Sequence, residues 1–341
     1  MITAAGTRPT ARPAVAGTPL VDVSLLVRGI ERRLRLKLES HNPCGSLKDR
    51  IAASLLDHSA TAVGREGAGV IESTSGNLGL AMAVECARRG LPFEAVVDPC
   101  VSPYLVRRMR EAGARVTFVH EPDHTGGYLL SRIRYVRRQM LVRPGLVWTD
   151  QYRSAANPAA HQRHTAPELH AQLGARAALL IPVSTGGTLS GVTRYAAEHA
   201  LDWRLVGVDV RGSVALGGPG GPRPLPGLGS SRLSAFLDPD ATAVLDVELA
   251  EAVSACLWLR QRAGLGLGGS SGACVAAALR MFRQDPAVTE LSCLCPDGAE
   301  RYQSTVYQPA WRTAHGLAGA LSVGAEVLAV RRTAESPLSM V

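Results

Sequence analysis

The sequence has almost no lysine. Lys and Arg together number 37 among 341 residues, yet only Lys37 and Lys48 are lysines, which leaves 35 arginines. Wherever a generic surface cation would serve, this chain uses arginine, so a lysine kept against that bias marks a place that needs an amine. Arginine has no such chemistry, because its guanidinium is effectively never deprotonated. Aromatic residues are equally sparse at 4%, and the basic residues behind a net charge of +8 are spread along the chain. Scattered charge without stacking groups excludes a nucleic-acid platform and fits the handling of anionic small molecules. No run approaches the roughly 18 apolar residues of a membrane span. The opening stretch "MITAAGTRPTARPAVAG" lacks an apolar core, so no signal peptide is expected. Close metal-ligand pairs are missing too, and no metal site is expected. The seven cysteines (Cys44, Cys86, Cys100, Cys256, Cys274, Cys293, Cys295) are scattered and odd in number, as for reduced thiols in a cytoplasm. Cys293 and Cys295 alternate in "LSCLC" and read as strand packing.

What is present is alternation of strand and helix. "GVIES", "FEAVVD", "RVTFV", "AALLIPV", "RLVGVDV" and "LSCLC" read as strands. "NLGLAMAVECARRG", "SPYLVRRMREAG", "GYLLSRIRYVRRQM", "LSGVTRYAAEHA", "ELAEAVSACLWLRQRAG" and "SGACVAAALRMF" read as helices. Short strands separated by helices mean βαβ units and largely parallel sheets. The units are too many for one small sheet, so two α/β domains are expected. "GGPGGPRPLPGLGSS" is the clearest loop.

Ligands of such folds bind at the carboxyl ends of strands, and four polar loops fall there. "ESTSGNLG" (Glu72 to Gly79) and "PVSTGGTLSG" (Pro182 to Gly191) each open a helix, where backbone amides and hydroxyls make an anion site. The second is neither a Walker A nor a dinucleotide fingerprint, so no nucleotide is implied. "GGSSGA" (Gly268 to Ala273) opens another helix, and "PDGAERY" (Pro296 to Tyr302) follows the last strand. Any one could be helix capping. Four together with a rare lysine suggest pyridoxal phosphate, which needs an amine and a phosphate cradle.

With those motifs laid out, the sequence resembles the cysteine synthase family of fold-type II pyridoxal-phosphate enzymes, similar in architecture to tryptophan synthase β. "NPCGSLKDR" matches the family's N-P-x-x-S-x-K-x-R, "STSGNLG" its T-S-G-N-T-G, "STGGT" its G-T-G-G-T, and "DQYRSAANPAAHQRHTAPEL" its N-Q-F...N-P...H...T-G-P-E-I. "GGSSGA" and "PDGAERY" match the remaining signatures, so the likeness runs from about Thr18 to Tyr302. It implies pyridoxal 5'-phosphate in a cleft between two α/β domains: a large domain of 1–40 and 154–310, a small mobile domain of 41–153, and a peripheral tail of 311–341. Lys48 would carry the cofactor and act as base. Asn77 would bond the ring hydroxyl, and Ser184, Thr185, Gly186, Gly187 and Thr188 would hold the phosphate. Ser270 would face the ring nitrogen, with adjacent Ser271 leaving the register open. Thr74, Ser75, Gly76 and Gln151 would bind the substrate carboxylate. The implied reaction is β-replacement on a serine ester, in a cytoplasmic homodimer.

Four features set this sequence apart from the common pattern. Ser184 and Tyr152 replace glycine and phenylalanine, Leu78 replaces threonine, and Arg132 stands on the neighbouring helix. Added hydroxyls and an arginine suit a phosphate leaving group better than an acetyl ester. "EPDHTGGYLLSRI" and "PLPGLGSSRLSAF" more closely resemble one branch, the N-(2-amino-2-carboxyethyl)-L-glutamate synthases of 2,3-diaminopropionate biosynthesis in siderophore and peptide-antibiotic pathways. Those condense O-phospho-L-serine with L-glutamate, and Arg232 is expected to meet the dianionic glutamate. Two alternatives stay open: a sulfide-using cysteine synthase acting on O-acetylserine or O-phosphoserine, and a non-catalytic scaffold.

Overall fold

The computed structural model describes residues 17–64, 69–317, 319 and 323–332. Its strands are β1 Leu20–Val27, β2 Ile30–Leu38, β3 Gly69–Ser73, β4 Phe93–Val97, β5 Arg115–Phe118, β6 Leu146–Trp148, β7 Arg176–Pro182, β8 Asp202–Val210, β9 Val244–Val247, β10 Glu290–Cys295 and β11 Glu326–Arg332. They form two sheets, a larger one in the order β11-β1-β2-β10-β7-β8-β9 and a smaller one in the order β5-β4-β3-β6. The smaller sheet is parallel throughout. In the larger one β2, β10, β7, β8 and β9 run parallel, while β1 pairs antiparallel with both β2 and β11.

The antiparallel hairpin has a local cause. Arg28 and Gly29 both have positive φ, 50° and 75°, as a two-residue turn between twisted strands requires. Alternation then sorts the side chains. Val21, Val23, Leu25, Val27, Leu34 and Leu36 are 0% exposed, whereas Arg33 and Arg35 pair with Asp22 and Glu290 on the other face. The segment after Trp311, expected to be a peripheral tail, supplies the edge strand β11 to this sheet.

Helix Gly269–Gln284 packs against helix Leu249–Ala263 and is buried along most of its length. A side chain at Gly272 would overlap the Ala252 carbonyl and the Cys256 thiol, so this glycine of "GGSSGA" serves close helix packing. The smaller sheet has a separate core, to which helix Asp49–His58 gives Ile51, Leu55 and Leu56. The loops leaving β3, β7 and β10 line one cavity at the carboxyl ends of those strands, the place the βαβ rule reserves for ligands. No described helix is long and apolar enough to cross a membrane.

Candidate active site

Lys48 immediately precedes helix Asp49–His58 and lines a cavity of about 720 Å³. Both residues after it fix its place. The Asp49 carboxylate accepts hydrogen bonds from the Cys44 and Ser46 amides, each 3.2 Å, and so closes the preceding loop. The Leu47 amide donates to the Pro296 carbonyl at 2.8 Å, drawing that loop against the strand-end of β10. The helix is then anchored by Ile51, Leu55 and Leu56, all fully buried and each contributing about 1.5–3 kcal/mol. Arg50 holds the other flank. Its side chain is fully buried between Glu39 and Glu168. Burial pushes the Lys48 amine down to about 8, against the opposing pull of the Asp297 carboxylate.

The second lysine has a different reason to exist. Lys37 Nζ donates to the Thr18 carbonyl (2.7 Å), Glu168 (2.9 Å) and Gln172 (2.8 Å). Three acceptors around a compact ammonium match its three donors, a geometry the planar arginine fork does not offer.

Opposite Lys48, helix Gly187–Glu198 begins at the "STGGT" loop, its Gly187 amide donating to Thr185 Oγ1 at 3.3 Å, and a helix start rich in hydroxyls favours an anion. Ser184, Thr185, Gly186 and Thr188 line the cavity there. Gly186 has φ +86°. Gly187 does not reach the cavity surface; it abuts Asn157, where a side chain would collide. Asn157 in turn donates to Thr185 Oγ1 (3.1 Å) and to the Gln151 carbonyl (2.7 Å). Thr188 is positioned by His161, 3.2 Å away, whose other ring nitrogen meets Thr165. Burial first, then the charges of Lys48 and Arg50, pushes His161 down to about 3, so the imidazole is neutral and bridges two hydroxyls.

Asn77, at the start of helix Asn77–Arg88, is held at both ends of its amide. It donates to Asp297 at 2.6 Å and accepts from Arg301 Nε at 2.5 Å, leaving one further N–H. Asp297 also accepts from the Tyr302 hydroxyl at 2.9 Å, while its Oδ1 is buried without a partner. Burial raises the Asp297 carboxyl. Ser270 lines the same cavity and Ser271 does not. The chamber therefore offers an amine, a helix start with hydroxyls, a spare amide donor and a neutral hydroxyl. These fit the amine-reactive carbon, phosphate, ring hydroxyl and ring nitrogen of a pyridoxal phosphate.

The "STSGN" loop supplies the wall between. Thr74 Oγ1 accepts from the Gly76 and Gly79 amides at 2.9 and 3.0 Å, and Gly76 takes φ +134° to allow it. Gly76 is thus a turn residue off the cavity lining, while Thr74, Ser75, Leu78 and Gln151 face the cavity. Gln151 and Tyr152 both donate to the Ser73 carbonyl, at 2.8 and 3.3 Å.

Ser75, Tyr152, Ser184 and Gly227 also line a second chamber of about 550 Å³. Arg132 lies in its wall with a side chain 6% exposed, 3.4 Å from Asp98. Its Nε and Nη1 are buried and hydrogen-bonded to nothing. The Ser184 hydroxyl donates to the Gly229 carbonyl at 3.1 Å. Arg232, expected at this entrance, is not in the lining of either chamber; it lies within electrostatic range of Arg153, Asp150, Arg137 and Tyr152, the last of which lines both. The second arginine on the chamber wall, besides Arg132, is Arg223, nine residues before Arg232. Arg223, Asp297, Tyr302 and His161 were not singled out from the sequence. Asp297 and Tyr302 stand in "PDGAERY" and His161 in "HQRHT", so a motif pointed to those three; nothing in the sequence distinguished Arg223 from 34 other arginines.

Among the described residues no cluster of His, Cys, Asp and Glu could hold a metal ion. The family model described as pyridoxal-phosphate dependent enzyme matches residues 11–291. The chain is 39% identical over 300 residues to the N-(2-amino-2-carboxyethyl)-L-glutamate synthase of Ralstonia nicotianae, covering 87% of this chain and 89% of that protein. It is 39% identical over 305 residues to the protein of the same name from Cupriavidus metallidurans, with the same coverages. Among solved structures, the O-acetylserine dependent cystathionine beta-synthase of Helicobacter pylori superposes with a TM-score of 0.77 at 29% identity, over 86% of this chain and 97% of that one.

Proposed function

The chain belongs to the pyridoxal-phosphate dependent enzyme family, with the two-sheet α/β architecture of fold type II, and we propose that it condenses O-phospho-L-serine with L-glutamate to N-(2-amino-2-carboxyethyl)-L-glutamate. One observation carries this reading. The chamber next to the cofactor site holds a buried arginine, Arg132, whose Nη1 has no hydrogen-bond partner among the described residues and whose Nε lies 3.4 Å from Asp98, beside the side chains of Tyr152 and Ser184. Beside its Asp98 pair Arg132 keeps a buried donor free, which a leaving phosphate would accept. The Tyr152 and Ser184 hydroxyls, which donate to the Ser73 and Gly229 carbonyls, would turn to the phosphate when it binds. The names of the two bacterial relatives agree.

When bound, the pyridoxal ring draws electrons from the α-carbon of the substrate and so makes the α-proton removable. The rest is the work of the chain. Lys48 holds the cofactor and then takes the α-proton with its freed amine. The helix start at Ser184 to Thr188 holds the cofactor phosphate, Asn77 the ring hydroxyl and Ser270 the ring nitrogen. A neutral serine there does not keep the ring protonated, which favours β-elimination over deeper carbanion chemistry. Thr74, Ser75 and Gln151 hold the substrate carboxylate, with Gly76 shaping their turn. The Cβ–O bond breaks and inorganic phosphate leaves with its electron pair. The glutamate amine then supplies the pair for the new C–N bond and loses a proton, while Lys48 returns one to the α-carbon.

Removing phosphate donors should hurt one substrate selectively. Tyr152→Phe and Ser184→Gly should each lower kcat/KM for phosphoserine by about 0.5–1.5 kcal/mol, and Arg132→Gln by about 1.5–3 kcal/mol. Steady-state rates with acetylserine as donor should change less. Equal losses with both donors would remove these residues from phosphate recognition. The function itself is tested by supplying phosphoserine with glutamate or with sulfide and identifying the product by mass; cysteine alone would favour the sulfide reading. A homodimer in the cytoplasm, serving siderophore or antibiotic assembly, completes the proposal. The odd number of cysteines fits a reducing compartment.

A further inference from the structure

We propose that Arg223 is the specificity residue for the second substrate, holding the side-chain carboxylate of the incoming amino dicarboxylic acid. This rests on the reading above that such an acid is the nucleophile.

The charged residues lining the second chamber are Asp98, Arg132 and Arg223. Asp98 and Arg132 form an ion pair at 3.4 Å, so Arg223 is the cation left over. Among the described residues no carboxylate lies within ion-pair distance of it. Its orientation is already set. Nη1 donates to the Gly212 carbonyl and, at 2.9 Å, to the Gly221 carbonyl, and Nη2 donates to Ser231 Oγ at 2.6 Å. Those bonds use three of the five guanidinium donors and leave two. None of the three acceptors carries a charge, and burial lowers the basicity of the group despite the more distant Asp123 and Asp209. A negative oxygen pair is what this fork lacks.

The position suits the chemistry. The two chambers meet at Ser75, Tyr152, Ser184 and Gly227, so an amine arriving from the second chamber reaches the reacting β-carbon with its own side chain still inside that chamber. Gly127, from the half of the molecule that carries the smaller sheet, abuts Arg223 so closely that any side chain there would collide with the guanidinium. Arg223 therefore sits where both halves of the molecule enclose the nucleophile. Because the fork is pinned before binding, little ordering remains to oppose capture of a carboxylate. Hydrosulfide, with no second group, would leave the residue without a task.

The test uses the cofactor-loaded enzyme with phosphoserine and compares L-glutamate with L-glutamine as nucleophile. Arg223→Gln should raise the KM for glutamate by about tenfold or more and erase the preference for glutamate over glutamine by a similar factor. Arg223→Lys should recover part of that preference, since it restores charge without the fork. Phosphate release from phosphoserine alone, measured in parallel, separates recognition from scaffolding. If it falls as steeply as glutamate use, or if the glutamate-to-glutamine preference is unchanged, Arg223 is a loop anchor and the proposal is overturned. Should Arg223→Gln fail to bind cofactor, the preference measured on Arg223→Lys decides by the same criterion. A wild-type enzyme that ignores glutamate overturns the functional reading itself, whatever the variants do.

Discussion

Lys48→Ala should abolish turnover and the visible absorbance of the bound cofactor, and Lys48→Arg should do no better. Arginine keeps the charge but is never deprotonated under working conditions, so it neither joins the cofactor carbonyl nor accepts a proton. The amine at 48 can do both. Burial brings it down to about 8, which leaves about a tenth of it neutral at pH 7. Rescue from elsewhere in the chain is excluded, since the other lysine is Lys37, fully buried and bonded to three acceptors in a different cluster. An absorbance spectrum of the purified variant with added pyridoxal phosphate, followed by a phosphate-release assay, checks both halves. Lys48→Ala that turned over normally would sink the assignment of Lys48 and with it the whole site.

Local sequence carried much of this site and little of its support. The loops around Lys48, Thr74 and Ser184 were legible because each is a short polar or glycine-rich segment between a strand and a helix, and that around Ser270 because it is a glycine-rich helix start, although it follows a helix and not a strand. Even there roles split within a motif. Gly76 serves backbone geometry, Gly187 close packing against Asn157, and Gly272 helix packing. The β1–β2 hairpin was written in "LVRGIE", but an Arg-Gly turn is a weaker signal than Asn-Gly, and arginines on its outer face blurred the alternation. What stayed hidden depends on long-range partners. Arg223 and Arg232 are alike in sequence, and only the path of the glycine–proline loop puts the first on the chamber wall. Nothing local in "TAPEL" says that Glu168 meets Arg50, 118 residues away.

That last pairing sets the largest stability effect expected here. Arg50 bonds Glu39 at 2.6 and 3.0 Å and Glu168 at 2.7 and 2.8 Å. Glu39 also accepts from Thr18 and Asn42, each at 2.7 Å, and Glu168 from Lys37. Two carboxylates and two cations thus balance inside the protein, with Arg50 and Glu39 side chains fully buried. Arg50→Ala would leave both carboxylates to one lysine. Breaking a buried pair by removing one partner costs about 3–5 kcal/mol, enough to unfold many domains of ordinary stability. Urea unfolding at pH 7 measures it; a loss under about 1 kcal/mol would mean water relieves the cluster. Acid gives an independent check. Although burial alone would raise the Glu39 carboxyl, Arg50 chiefly holds it down at about 2 against an ordinary 4.5. Between those values the unfolded chain binds the extra proton, so stability rises with pH. The contribution is fully present above the ordinary value and fades as pH falls toward about 2. Glu39→Gln should therefore lower stability at pH 7 and flatten its dependence in that acid window. A variant as acid-sensitive as the wild type would shift the acid response to other carboxylates. Because Arg50 lies outside the cavity lining and its side chain, among the described residues, bonds only Glu39, Glu168 and Thr18, the variants should lose cofactor binding in step with folded population, not ahead of it.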